Sequence, residues 1–79
     1  MNQDILQGKW KQLRGQVKQW WGNLTDDDLD KINGSMDKLV GSIQERYGYA
    51  KEEAVAEINR RLKAFDDRAM AAGKGTAKN

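Results

Sequence analysis

Residues 8–22 read GKWKQLRGQVKQWWG and residues 34–48 read GSMDKLVGSIQERYG. A displacement of 26 residues lays Gly8, Gly15 and Gly22 on Gly34, Gly41 and Gly48. The same displacement lays Trp10 on Met36, Leu13 on Leu39, Val17 on Ile43 and Trp21 on Tyr47. Beyond the third glycine, Leu29 falls on Val55, Ile32 on Ile58 and Asn33 on Asn59. An apolar stripe and its glycine punctuation align together, which shared composition does not produce. The chain reads as an approximate internal duplication with units of about 8–33 and 34–59.

Each unit carries helical spacing. Leu6, Trp10, Leu13, Val17 and Trp21 recur at steps of three or four residues, which places them on one face of an α-helix. Met36, Leu39, Val40, Ile43 and Tyr47 repeat the pattern, and Val55, Ile58, Leu62, Phe65 and Ala69 form a third stripe. Gly22 and Gly48 are expected to close their helices in the left-handed conformation that glycine tolerates. Thr25-Asp26-Asp27-Asp28 starts the next helix as a capping box, with its acids at the positive helix end. The pattern predicts an all-α fold of four helices, at about 3–21, 25–33, 35–47 and 50–71, arranged as two packed helical hairpins. Residues 1–71 are expected to form one helical domain. Residues 72–79 lack an apolar anchor and are expected to be a mobile tail.

Seventy-nine residues lie near the lower limit for a single apolar core. With 38% apolar and 33% charged residues, that core is thin under a solvated surface. A net charge of +2 is too small for whole-chain attraction to polyanions. No apolar run is long enough to cross a bilayer, so no integral membrane association is expected. The N-terminal residues do not resemble a secretory signal, and cytoplasmic residence is expected. The chain contains no Cys and no His. Thiolate chemistry, disulfides and thiolate metal sites are therefore excluded, together with the commonest general base and metal ligand. Catalysis would have to run on carboxylates and lysines alone. The expectation is no enzyme activity, no cofactor and no metal.

Three segments, GKWKQL at 8–13, WGNLTDDD at 21–28 and VGSIQERYGY at 40–49, resemble the bacterial CsbD-like family in its own order of segments. The resemblance covers roughly residues 1–60, with QERYGY at 44–49 the most specific part. It implies a small cytoplasmic bacterial protein associated with general stress responses, with no defined molecular activity and no site residues to carry over. It also implies two helical hairpins packed in the manner of a sterile-alpha-motif domain, in agreement with the duplication.

Asp26, Asp28, Asp30 and Asp37 share positions with ligands of an EF-hand loop, yet Lys31 stands where that loop needs glycine. Leu29 and Ile32 also keep helical spacing, so the acids read as compensation of a helix N-terminus. Gly48-Tyr49-Ala50 partly matches the turn of a nucleic-acid-binding helix-hairpin-helix, but Glu52 and Glu53 follow it and would repel a phosphate. Lys11, Arg14 and Lys18 share a flank of the first helix, and Trp20 stands at the edge of its apolar stripe. These four residues are the candidates for a weak protein or nucleic-acid contact. The alternative is that the basic helix and the acidic segment after it neutralise each other. The oligomeric expectation is a monomer or weak homodimer. The leading functional reading is a non-catalytic stress protein acting by abundance and weak surface contacts, and the alternative is a weak nucleic-acid-binding module.

Overall fold

Lys9 divides the first of the predicted helices. The computed structural model of the chain describes the backbone of residues 2–78 and the side chains of residues 3–68. Among these it contains α1 (Asn2–Gly8), α2 (Trp10–Trp20), α3 (Asp26–Ile32), α4 (Met36–Tyr47) and α5 (Lys51–Lys78), with no strand. The all-α class stands, and the expected count of four helices becomes five. Lys9 leaves the helical region at φ −116° and ψ 24°, directly after a glycine, and so turns α2 away from the line of α1. The duplication held a signal for this break. α2 and α4 start at Trp10 and Met36, 26 residues apart, so Gly8-Lys9 corresponds to Gly34-Ser35, where α4 begins.

Local chemistry accounts for the other helix starts. Thr25 Oγ1 accepts from Asp28 N at 3.0 Å, and Asp28 Oδ2 accepts from Thr25 N at 3.0 Å, which completes the capping box expected at α3. Ser35 caps α4 by accepting from Lys38 N. The stops differ in part from expectation. Gly48 closes α4 in the left-handed conformation at φ 71°, as expected. Gly22 does not adopt positive φ, because α2 already ends at Trp20. Leu24 N then donates to Trp21 O, and the turn directs Leu24 into the core. The left-handed pair is instead Asn33 and Gly34, at φ 43° and 84°, between α3 and α4.

All five helices contribute to one core. Leu6, Leu13, Val17, Leu29, Ile32, Leu39, Ile43, Ile58 and Leu62 are fully buried or nearly so, and Trp21, Leu24, Val40 and Ala54 join them. Trp10, Tyr47, Val55 and Phe65 are partly buried at its edge. α4 packs on α3 and α5, and α1 lies across α4 and α5. Two polar contacts hold α1 there: Gln3 Nε2 donates to Gly34 O at 3.1 Å, and Gln3 Oε1 accepts from Met36 N at 2.7 Å. The last described core residue on α5 is Leu62, and the backbone helix continues to Lys78, consistent with a longest axis of 44 Å. The side chains of the expected tail at 72–79, and of Ala69, lie outside the described residues.

The firmest ionic joint links α3 to α4. Arg46 donates to Asp28 through Nε at 2.9 Å and through Nη2 at 3.2 Å, a two-pronged contact. The Arg46 hydrogen bond, with that from Thr25 N, holds the Asp28 carboxyl at about 2, below its ordinary 3.8. A depressed carboxyl stabilises the fold above its unfolded value, and that contribution is lost as pH falls from about 4 towards 2. Arg46 is 39% exposed, so water screens the pair. Asp28→Ala is expected to cost about 1 kcal/mol at neutral pH, from cap and ion pair together. Denaturation curves at several pH values check this: the difference from the unaltered chain should shrink towards pH 2, and a difference independent of pH would contradict it.

Candidate functional site

The basic flank of α2 is turned towards α3. Arg14 Nη1 donates to Asp30 Oδ1 at 2.7 Å, and Nη2 donates to Asp26 O at 3.4 Å. Lys18 Nζ donates to Leu24 O at 2.6 Å, in the turn between the two helices. Two of the three candidate cations are thus engaged within the chain, one with an acid of α3 and one with a backbone carbonyl. Lys11 is exposed and borders a shallow depression with Gln7, Trp10, Gln12 and Asn33.

Trp20 does not share their surface. At 100° per residue it stands half a turn round α2 from Lys11 and faces α5. Its ring meets Trp21 edge-on, with centroids 5.7 Å apart. The guanidinium of Arg61 lies 5.9 Å from the Trp20 ring centroid and 5.7 Å from that of Trp21, within cation–π range. Glu57 approaches Arg61 Nε from one turn earlier at 3.8 Å. Gln16, Trp20, Arg61, Ala64, Phe65 and Arg68 line a cleft of about 190 Å³ between α2 and α5. Arg61 and Arg68 were not singled out from the sequence, and Phe65 was read only as part of the apolar stripe. Their i, i+4, i+7 spacing puts them on one face of α5, as i, i+4 puts Gln16 and Trp20 on one face of α2. That the two faces oppose each other is a tertiary fact with no local signature.

Three of the acidic side chains are paired within the chain. Asp28 binds Arg46, Asp30 binds Arg14, and Asp27 lies 3.5 Å from Lys31. Among the described residues no group of three or more carboxylates converges as a metal site would require, and no helix is long and apolar enough to cross a membrane. In the Gly48-Tyr49-Ala50 turn, the Tyr49 ring rests 5.7 Å from that of Tyr47, whose hydroxyl accepts from Asn23 N at 3.1 Å. This places the two interhelical turns side by side.

The sequence model of the CsbD-like family matches residues 4–55, which span α1 to α4 and the first turn of α5. The chain belongs to the CsbD-like family. Its relatives include UPF0337 protein PA4738 of Pseudomonas aeruginosa, 52% identical over 68 residues, or 86% of this chain and 98% of that protein. UPF0337 protein YjbJ of Escherichia coli O6:H1 is 53% identical over 86% of this chain and 99% of its own length. UPF0337 protein YjbJ of Escherichia coli K12 is 57% identical over 73% of this chain and 84% of its own length. No solved structure matches the chain. The cleft-lining residues of α5 lie beyond residues 4–55, which the CsbD-like model matches.

Proposed function

We propose that this CsbD-like chain is a non-catalytic bacterial stress-response protein that works in the cytoplasm through abundance and weak surface contacts. The observation that supports this reading is membership of the CsbD-like family, combined with a highly charged surface on which several charges pair with each other. Arg14, Lys31, Arg46 and Lys9 each pair with an aspartate of the same chain. Such a surface is well hydrated and weakly attractive to any one partner. The described depressions are open, and the chain offers neither imidazole nor thiol to work in them. The basic flank at Lys11, Arg14 and Lys18 is a poor footing for nucleic acid, because Asp26 and Asp30 stand beside it.

Expression at graded levels in a strain lacking the gene tests the proposal. Survival of desiccation, osmotic or heat stress should rise in proportion to the amount of protein. Replacing Lys11, Arg14 and Lys18 together with Ala should leave that protection within about twofold, since these are solvated or internally paired charges. Full protection at trace levels, abolished by a single carboxylate or lysine substitution, would point instead to a catalyst.

A further inference from the structure

We propose that the cleft between α2 and α5 holds a base of single-stranded nucleic acid, stacked against Trp20 and Phe65, with the adjoining phosphate on Arg61 and Arg68. This names a partner for the weak contacts proposed above and rests on that reading. At about 190 Å³ the cleft is smaller than a site for a whole cofactor, so it suits one flat ring. Its walls offer π-faces and guanidinium groups, and no carboxylate lines it. The acids nearest it are already engaged: Glu57 with Arg60 and Arg61, and Asp66 with Lys9 at 3.0 Å. Asp67, about a quarter to a third of a turn round α5 from Arg61 and Arg68, faces elsewhere. Arg61 and Arg68 thus put two cations at the mouth, although the chain carries only +2 overall.

Arg61 is prepared for this task. Its Nε is buried without a hydrogen bond, while its side chain as a whole remains 38% exposed. Held over two indole rings, the guanidinium keeps its position before any ligand arrives, so little rotamer freedom is lost on binding. Arg68, one turn beyond Phe65, is exposed at the rim and has no ion-pair partner among the described residues. A base stacked on an aromatic ring is recognised by its face alone, so sequence preference should be slight. With one or two phosphates neutralised, binding should be weak and should decline with salt at a logarithmic slope of about −0.7 per phosphate.

The test titrates the full chain at low salt against a fluorescent oligothymidylate of about eight nucleotides, within the span of single-strand sites. An abasic phosphodiester of equal length and an acidic peptide containing tyrosine run in parallel. Anisotropy and tryptophan quenching should both report binding to the oligonucleotide. The abasic strand should bind at least about fivefold more weakly, the loss expected when one stacked base is removed. Arg68→Gln and Phe65→Ala should each weaken binding by about fivefold or more, with Arg68→Gln leaving the thermal transition in place because the residue is exposed. The Lys11, Arg14, Lys18 triple Ala variant should bind within about twofold of the unaltered chain. Equal binding of the abasic strand, tighter binding of the peptide, no binding at all, or sensitivity to the α2 triple rather than to Arg68 would each overturn the assignment. The graded-expression result is independent of these, so the cleft can fail while the abundance reading holds.

Discussion

Gly34→Ala is expected to lower the unfolding free energy by about 2–3 kcal/mol, a severe loss for a core of this size. Two costs combine there. The backbone sits at φ +84°, where a side chain costs about 1 kcal/mol or more. An added Cβ would also lie 3.1 Å from Gln7 Cα and 3.5 Å from Trp10 Cβ, so α1 would have to lift away from the corner between α3 and α4. Lifting it strains both Gln3 contacts and loosens Leu6, which is fully buried. Gly48 is the natural control, because it shares positive φ, at +71°, and has open space around its missing Cβ. Gly48→Ala should cost about 1 kcal/mol, the conformational part alone. Urea denaturation of the two variants separates the terms. Equal losses would show that α1 does not press on Gly34, and the packing of α1 described above would then be wrong.

The opposite sign is expected at three other glycines. Gly8, Gly15 and Gly41 lie in helices, are exposed, and have nothing beyond their own helix within 4 Å of where a Cβ would stand. None has positive φ. Each therefore costs its helix roughly 0.5–1 kcal/mol relative to Ala without any steric return. Changing all three to Ala is expected to raise the unfolding free energy by about 1–3 kcal/mol, in a fold that holds only a few. Such residues keep the domain marginal, and we propose that its helices loosen and re-form as water activity or temperature changes. Thermal and denaturant unfolding of the triple variant measures the gain. A loss of stability would mean that another backbone needs these positions, and the marginal-fold proposal would fall. A gain in stability with reduced stress protection would tie marginality to function.

Short-range features were legible in the sequence because their causes lie within a few residues. Thr25 and Asp28 cap α3 reciprocally across three positions, Gly48 ends α4 where it stands, and the stripes through Leu13–Val17 and Leu39–Ile43 define buried faces by spacing alone. The all-helical class followed from those, and the three CsbD-like segments were local signals too. The site was less legible. Lys11, Arg14 and Lys18 do share a flank, but that flank's engagement with Asp30, Asp26 and Leu24 depends on how α3 folds back. Trp20 was found, but its neighbours Arg61, Phe65 and Arg68 come from a helix some forty residues later.

Gly8 and Gly34 occupy equivalent places in the duplication, as do Gly22 and Gly48, and the sequence by itself determined only that these are points of helix punctuation. The tertiary structure decided that Gly34 is pressed by α1 while Gly8 stands in open space, and that Gly48 turns left-handed while Gly22 does not. The physical reason is that α1 folds back against the corner at Gly34, whereas only its own helix stands near Gly8. Gly34 thus meets a neighbour that Gly8 lacks, while Gly48 caps a helix that runs to Tyr47 and Gly22 follows one that already ends at Trp20.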